Sequence, residues 1–257
     1  MEVRIDVFDH NNKLYCSAYY VMVARDNADG KAKKIPQLSF ELEEEGEIRN
    51  EAKLRYHLGK KRQGARIEKI KHSLAKEPPQ SEESKVIHKF FTDRLERKET
   101  KKSLTKKILS INSTRVEKTV LKHYQDRNIH GKIFGGIIMR ECLELGFVAA
   151  NLAPWLKDPA IYFIDDIYFL RPVDIGSLIR YTAYITYCDG CLAHIKVLVE
   201  KAESDGENIE YIKATEFNMV LKVSDTQATL VPESYEEAMQ YLEARRRVKS
   251  LLDLGSF

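Results

Sequence analysis

The stretch "NIHGKIFGGIIMRECLELGF", residues 128–147, places an asparagine, a histidine and two adjacent glycines at the beginning of a long apolar segment. On a helix drawn from Gly135 to about Leu152, apolar residues cover nearly the whole circumference, and Arg140 and Glu144 lie on a narrow polar stripe. A helix that is apolar on almost all sides is a buried helix. We therefore predict that a β-sheet wraps around this helix.

The start of this helix presents backbone N–H groups that no carbonyl inside the helix can accept from. Gly135 and Gly136 have no side chain, so a ligand carbonyl or phosphate can approach these N–H groups closely. Asn128 or His130 can add a side-chain hydrogen bond. A second interpretation stays open, in which the glycines only allow the helix to pack tightly on a sheet and Asn128 ends a strand.

The segments on either side of this helix have the composition of β-strands, because they are rich in aromatic and β-branched residues. The strand-like segments are "ILSINSTRVEKTVL" before the helix, and "IYFIDDIYFLRPV", "SLIRYTAYITYC", "LAHIKVLVEKA" and "YIKATEFNMVLKV" after it. This order predicts an α+β domain over 108–223, with one antiparallel sheet around one long helix. An amphipathic C-terminal helix is expected over 224–257.

The first 38 residues resemble the end of that domain. "EVRIDVFDHNNKLYCSAYYVMVARD" and "HIKVLVEKAESDGENIEYIKATEFNMVLKVSD" both contain a strand, a polar turn and a second strand. We interpret residues 1–38 as the last two strands of a truncated first copy of the domain. Two strands cannot bury a core alone. We expect them either to extend the sheet of the complete copy or to remain an exposed edge that promotes association.

Residues 39–107 are highly charged, with sparse apolar residues at helical spacing and an interruption at Pro78-Pro79. We expect a linker of one or two exposed helices joined by loops. The basic cluster "GKKRQGARIEKIK" could contact a nucleic acid, but the glutamates interleaved along this region favour a solvated connector.

Composition bounds the classes of protein to consider. The chain has 257 residues, 43% of them hydrophobic and 32% charged, with a net charge of +3. This charge does not call for a nucleic-acid partner, and no apolar run approaches the roughly 18 residues that span a bilayer. The chain begins without a basic leader or signal peptide, so its start is not expected to give its compartment.

The four cysteines are Cys16, Cys142, Cys188 and Cys191. The last two form a single CxxC, whereas a structural zinc site usually takes two such pairs. Asp189-Gly190 predicts a hairpin turn, so we expect these two cysteines to flank a turn in a reduced compartment. The histidines show no metal-ligand spacing, and no Ser-His-Asp elbow or phosphate loop is present. No metal or redox cofactor is therefore expected.

Two motifs resemble those of hotdog-fold acyl-coenzyme A thioesterases. "NIHGKIFGGIIM" is similar to the family signature N-x-x-G-x-x-F-G-G-x-x-M, and "DDIYFLRPVDIGSLI" is similar to the strand-loop D-x-x-x-F-x-[KR]-P-V-x-[VI]-G-[DS]. "TRVEKTVL" and "AYYVMVARD" narrow the resemblance to the mitochondrial acyl-coenzyme A thioesterase 9 type, which resembles two hotdog domains fused in one chain. The resemblance covers residues 1–38 and 103–223. The linker between them is similar to that of the family only in its general character.

The resemblance implies hydrolysis of acyl-coenzyme A to free acid and coenzyme A, at a site formed between two hotdog units. It implies that Asn128 orients the thioester carbonyl and that Gly135 and Gly136, in the turn that begins at Phe134, bind its oxygen. His130 is a second polar candidate. A carboxylate on the central helix of the other unit is implied to act as general base on water or as nucleophile.

The chain departs from the family pattern at the helix carboxylate. The family aspartate lies fifteen residues beyond the asparagine, and Leu143 occupies that position here. Glu144 lies next to it and is the candidate base, although a surface ion pair with Arg140 is favoured for this side chain. We expect the chain to hold the carbonyl-binding half of a site, with the carboxylate supplied by Glu144 or by another chain.

The family strand-loop lies beside the substrate channel, which makes Asp166 and Arg171 candidates for substrate binding. Asp165 lies on the same strand, and solvent exposure at a strand edge is the alternative for Asp165 or Asp166. Arg171 could meet a coenzyme A phosphate, and an exposed arginine is the alternative for it. The resemblance further implies acyl-coenzyme A as the substrate, a homo-oligomer formed by hotdog pairing, and a mitochondrial location.

Two rival functions remain open from the sequence. One is a non-catalytic acyl-coenzyme A-binding or interaction subunit, because the matched carboxylate is missing. The other is a hotdog hydratase or dehydratase, because His130 and Glu144 lie fourteen residues apart. Those enzymes usually carry prolines where this chain has Phe134-Gly135-Gly136.

Overall fold

The chain is built from two separate units, Met1–Glu77 and Pro78–Phe257. The structure, a computed structural model, describes residues 2–24, 26, 31–36, 47–71, 74, 77–100, 107–165 and 167–253.

The first unit contains the strand pair β1 (Glu2–Phe8) and β2 (Leu14–Val21) and helix α1 (Glu47–Lys71). The two strands are antiparallel and, among the described residues, form a two-stranded sheet of their own. The Asp9 carboxylate closes the turn between them by accepting from the backbone N–H of Asn11 and of Lys13, both at 2.8 Å. Most side chains of the two strands are exposed.

The second unit contains, among its described residues, three helices and ten strands. The helices are α2 (Ser81–Thr100), α3 (Gly135–Asn151) and α4 (Tyr235–Asp253). The strands are β3 (Lys107–Leu109), β4 (Val116–Leu121), β5 (Leu156–Lys157), β6 (Ala160–Ile164), β7 (Tyr168–Phe169), β8 (Leu178–Asp189), β9 (Leu192–Ser204), β10 (Ile209–Lys222), β11 (Asp225–Thr226) and β12 (Ala228–Leu230).

One antiparallel sheet dominates this unit, with the strand order β4-β8-β9-β10-β6 and β7 paired to β10 beside β6. Side chains alternate between the two faces of each strand. Those on one face, such as Ile195, Phe217 and Met219, form the main core with Cys142 and Leu145 of α3. A long helix on an antiparallel sheet is the α+β arrangement that the sequence predicts.

The sheet does not wrap α3 completely. On the side of the helix away from the core, Phe147 is 37% exposed, Val148 46% and Leu152 66%. The predicted packing of one antiparallel sheet around one long helix is present, but within the described part of this unit α3 is buried only on the side that faces the sheet. The physical reason is that one sheet covers one side of a helix, so the opposite apolar stripe needs a second surface.

The other face of the sheet is covered by α4. Tyr187, Leu192 and Val220 pack there against Ala244 and Val248. The helix begins after an N-terminal cap, because the Ser234 hydroxyl accepts from the backbone N–H of Glu237 at 3.1 Å. The C-terminal helix was expected over 224–257, but the short strands β11 and β12 occupy its first part.

Helix α2 lies in the second unit, although it was expected to belong to the 39–107 linker. Glu83 accepts two hydrogen bonds at 2.6 Å from the guanidinium of Arg246 on α4. Phe90 packs edge to face on Tyr241, with ring centroids 5.0 Å apart. A bidentate ion pair and an aromatic contact thus hold α2 to the outer layer, and the boundary between the units falls inside the predicted linker.

The CxxC lies at the β8–β9 hairpin, as predicted, but the turn is shifted by one residue. Asp189 still pairs with Leu192, so the two loop residues are Gly190 and Cys191. Gly190 has a φ of +54°, a conformation that glycine adopts without a steric cost. The cysteines are unlinked thiols.

No helix in the described part of the chain has the length and apolar character needed to cross a bilayer.

Candidate active site

The loop before α3 is organised by Asn128. Its side-chain oxygen accepts from the backbone N–H of His130 at 2.8 Å and of Lys132 at 3.1 Å. Gly131 lies in the loop with a φ of +70°. Because the oxygen is occupied, the side-chain NH₂ of Asn128 is the group left to donate outward, and it has no acceptor among the described residues. His130 is exposed beside it.

The same loop is fastened to the start of the helix. The backbone N–H of Phe134 donates to the carbonyl of Asp126 at 2.8 Å. Phe134 is the N-cap residue, and no side chain caps the helix. The N–H groups of Gly135 and Gly136 belong to the first turn, whose donors have no acceptor inside the helix. Both glycines are half-buried, so the start of the helix is partly exposed.

Two phenylalanine rings frame these glycines. A Cβ atom added to Gly135 would lie 3.0 Å from Cζ of Phe169, and one added to Gly136 would collide with the Phe134 ring. Both rings are about half exposed, at 48% for Phe169 and 55% for Phe134. The glycines therefore serve the close packing that the second interpretation of the sequence requires. They also put no side chain of their own beside the N–H groups, so the two interpretations are compatible.

Glu144 faces solvent. It pairs with Arg140, with 3.5 Å between Nε and Oε1, and both side chains are more than half exposed. Glu144 is nine residues from Gly135, which is roughly 13 Å along the helix axis. A general base must reach its proton directly or through one water. Within one unit, Glu144 therefore cannot act on a carbonyl held at Gly135, and Leu143 at the matched position is half-buried and apolar.

The inward-facing carboxylate of α3 is Glu141, which the sequence analysis did not single out. Glu141 contacts Lys118 and lies 4.0 Å from the ammonium group of Lys122, whose side chain is only 1% exposed. Both ammonium groups lie over the ring of Tyr181, at 5.3 and 5.4 Å from its centroid. Burial lowers the pKa of Lys122 and raises that of Tyr181.

Glu141 is therefore the carboxylate partner of a buried lysine, and it fastens α3 to the lysines at β4. The sequence contains a signal that the two lysines of this cluster point towards the core. Residues alternate along a strand, and Lys118 and Lys122 share the face of Val116 and Val120 in β4.

The strand-loop residues have different surroundings from those expected. Asp165, for which solvent exposure was one alternative, is 9% exposed and accepts a hydrogen bond from Arg247 of α4 at 2.6 Å. Asp166 lies outside the described residues. Arg171 is exposed, and its backbone N–H donates to the carbonyl of Ala214 at 3.3 Å. Among the described residues, no group of three or more histidine, cysteine, aspartate or glutamate side chains is arranged to hold a metal ion.

Proteins of known sequence and structure are similar to this chain, although no protein-family model matches it. Acyl-coenzyme A thioesterase 9, mitochondrial, of Bos taurus is 33% identical over 98% of this chain and 56% of its own length. Acyl-coenzyme A thioesterase 10, mitochondrial, of Mus musculus is 30% identical over the same shares. The chain thus spans little more than half the length of these relatives.

The resemblance to the acyl-coenzyme A thioesterase 9 type is confirmed.

Solved structures agree with the fold of this chain. One is an acyl-CoA hydrolase from Staphylococcus aureus in complex with butyryl coenzyme A, coenzyme A and coenzyme A disulfide. It matches with a TM-score of 0.52 at 20% identity, over 57% of this chain and 91% of that chain. An acyl-CoA hydrolase from Bacillus cereus matches with a TM-score of 0.50 at 20% identity, over 59% of this chain and all of that one. The hotdog fold is therefore confirmed.

Proposed function

We propose that this chain hydrolyses fatty acyl-coenzyme A to free fatty acid and coenzyme A, and that it supplies the carbonyl-binding half of the site. The observation that carries the proposal is the partly exposed start of α3. There the N–H groups of Gly135 and Gly136 have no intrahelical acceptor, and the loop of Asn128 is fastened to the same turn. Relatives named as acyl-coenzyme A thioesterases support the substrate class.

In the proposed reaction, the thioester carbonyl oxygen accepts from the helix N–H groups and from the side-chain NH₂ of Asn128. Water adds to the carbonyl carbon, and the same donors stabilise the oxyanion that forms. Preorganised donors of this kind contribute about 10²–10³ each to kcat in other enzymes. The carbon–sulfur bond then breaks, and the thiolate of coenzyme A leaves and takes up a proton. No metal or redox cofactor enters this scheme.

The base that activates water is proposed to come from a second hotdog unit, because Glu144 points to solvent and Leu143 replaces the family carboxylate. The exposed apolar stripe of Phe147, Val148 and Leu152 gives such a unit a surface to pack on. We therefore include a homo-oligomer in the proposal. Arg171, which is exposed, is a candidate for a coenzyme A phosphate. The names of the relatives support a mitochondrial location.

Substitutions at Asn128 test the proposal. Asn128→Asp keeps the oxygen that orders the loop and removes the outward NH₂ donor, whereas Asn128→Ala removes both. We expect both variants to lose at least about 100-fold in kcat for thioester hydrolysis, measured by release of the coenzyme A thiol. Asn208→Ala is the control, because Asn208 is exposed in the β9–β10 turn and its backbone N–H, which the substitution keeps, donates to the Asp205 carboxylate at 2.8 Å.

Turnover should also rise per chain as the protein concentration rises, because the base comes from another unit. Wild-type turnover that survives in Asn128→Asp would reject the proposed role of the amide. The alternative function, an acyl-coenzyme A-binding subunit without catalysis, is favoured by Leu143. Calorimetric binding of coenzyme A without thiol release at any protein concentration would select it.

A further inference from the structure

The C-terminal helix reaches the strand break beside the proposed site through one buried ion pair. Arg247 Nη1 donates to Asp165 Oδ2 at 2.6 Å, and the two side chains are only 14% and 9% exposed. Arg247 also lies 3.2 Å from Glu243, one turn earlier on α4, and 4.0 Å from Glu216 on β10. A buried guanidinium with three carboxylates around it is held in one orientation.

Asp165 occupies a structurally sensitive position. It follows β6 directly, where the ladder with β10 ends at the pair Ile164 and Met219. Its backbone N–H still donates to the carbonyl of Asn218 at 2.9 Å. Further along the chain, β7 pairs with β10. The Arg247 contact therefore fastens the chain at the point where it leaves the sheet.

The other end of this segment touches the start of α3. Phe169 of β7 pairs with Thr215 of β10, and its ring lies against Gly135. Glu216, one of the carboxylates near Arg247, pairs with the neighbouring Tyr168 in the same ladder. A displacement of β7 would move the Phe169 ring relative to the helix N–H groups.

We propose that Arg247 is a positioning residue for the α3 entrance, acting through Asp165 and β7 on the Phe169 ring that borders Gly135. The inference rests on the proposed function for its catalytic consequence, but its structural part can be tested without a substrate. Arg247 lies on the outer face of the sheet, whereas the entrance lies on the inner face. Asp165 contacts Arg247 on the outer side, and Phe169 of β7 lies against Gly135 on the inner side.

The neighbouring Arg246 provides a matched control. It is the same residue type on the same helix, and its bidentate pair is with Glu83 of α2. Arg246→Ala removes a guanidinium and a bidentate ion pair of the outer layer while leaving the Asp165 contact in place. A general loosening of α4 would appear in both alanine variants.

The experiment compares Arg247→Ala, Arg247→Lys, Asp165→Asn and Arg246→Ala in the full chain. Hydrogen–deuterium exchange is followed in peptides that cover Ile167–Leu170 and the first turn of α3. Thioester turnover is measured in parallel. We expect Arg247→Ala and Asp165→Asn to speed exchange in both peptides and to lower kcat/KM between about 10-fold and 100-fold. Arg247→Lys should give exchange rates and kcat/KM values between those of the wild type and Arg247→Ala. Lysine keeps the positive charge but lacks the planar guanidinium group.

Arg247→Ala combined with Asp165→Asn should lose no more than Arg247→Ala alone, because the first change already removes the contact that the second weakens. Unchanged exchange at the entrance in Asp165→Asn, or equal changes there in Arg246→Ala, would overturn the positioning role. Faster exchange in a chain whose wild type releases no thiol would leave the positioning role intact and reject the proposed function. If Arg247→Ala does not fold, Asp165→Asn and Arg247→Lys decide the question.

Discussion

The hairpins β1–β2 and β9–β10 have similar sequence patterns but different surroundings. Both are antiparallel pairs with one irregularity in register, after Val7 in the first and after Lys213 in the second. In β9–β10, Ile195 and Phe217 are at most 1% exposed. In β1–β2, Val7 is 47% exposed and Tyr15 81%.

The difference shows what a strand pattern does and does not determine. Alternating apolar residues and a polar turn are sufficient to predict two paired strands in each region. Burial requires another layer, and β9–β10 has α3 on one face and α4 on the other. Burying a large apolar side chain contributes about 1.5–3 kcal/mol. The second hairpin therefore gains core stability that the first, within the described part of its unit, does not.

The largest expected effect is that of Phe217→Ala in β10. The ring is 1% exposed between the sheet and α3, so its loss leaves a cavity. We expect the free energy of unfolding of the second unit to fall by about 3–5 kcal/mol. Urea denaturation followed by the fluorescence of Trp155 measures this directly, because Trp155 is the only tryptophan and is 7% exposed in that unit.

Tyr15→Ala is the matched change in the exposed hairpin. Because the Tyr15 side chain is 81% exposed, we expect the free energy of unfolding of the first unit to change by no more than about 0.5 kcal/mol. Circular dichroism measures this change. Equal losses in the two variants would mean that the surroundings of the two hairpins do not differ as described.

The contrast also explains which parts of the molecule the sequence predicts. Helix α3 was expected from Gly135 to about Leu152 and is observed from Gly135 to Asn151, because its apolar pattern and the glycine pair are local signals. The strands β8, β9 and β10 follow from alternation and turn residues in the same way. These signals depend on neighbours in sequence, and they are reliable where the pattern is long.

Contacts between distant residues were not predictable from such signals. Asp165 lies 82 residues from Arg247, and nothing near either of them in sequence specifies the pair. Lys122 is buried against Tyr181 because α3 brings Glu141 there. The candidate site also combines local features with contacts between residues that are distant in sequence. The Asn128 loop and the glycine turn are local and were predicted, whereas the surroundings of Asp165 depend on how α4 packs.

A second prediction uses His194, which lies under α4 on the outer face of β9. It is 1% exposed, and its Nδ1 shares a hydrogen bond with the Thr186 hydroxyl at 2.7 Å. Burial first, and then the Arg247 cation, lower its pKa from 6.5 to about 3. Lys196 lowers the pKa further, while Asp165 and Glu216 oppose the shift. The folded unit therefore holds a neutral imidazole.

The direction in which stability changes with pH follows from proton binding to His194. Below about pH 6.5 the unfolded chain protonates this histidine and the folded chain does not, so stability falls as the pH falls towards about 3. Each pH unit in this window costs about 1.4 kcal/mol. We expect the second unit to lose roughly 2.7 kcal/mol between about pH 7.5 and about pH 4.5 from this group.

His194→Asn should flatten this pH dependence in urea titrations read by Trp155 fluorescence. His10→Asn, in the exposed turn of β1–β2, should leave the slope as in the wild type. An unchanged slope in His194→Asn would show that the imidazole is not held neutral under α4.

A smaller effect than that of His194 differs in sign between the two units. Gly146 in α3 and Gly64 in α1 both lie inside helices, where alanine is favoured over glycine by about 1 kcal/mol. A Cβ added at Gly64 meets nothing within 4 Å, so Gly64→Ala should stabilise its helix by up to that amount. A Cβ added at Gly146 would lie 2.5 Å from the methyl group of the fully buried Met219.

Overpacking of a core costs about 1–3 kcal/mol. After the helix preference is subtracted, Gly146→Ala should destabilise the second unit by about 1 kcal/mol, measured by urea denaturation with Trp155 fluorescence. The stability of helix α1 in the Gly64→Ala variant is measured by far-ultraviolet circular dichroism during thermal unfolding. Opposite signs for one substitution in two helices would locate the difference in packing against the sheet. If both substitutions stabilise the protein, the Met219 side chain moves aside without a loss of stability. The contact between α3 and the β9–β10 hairpin would then be looser than its burial indicates.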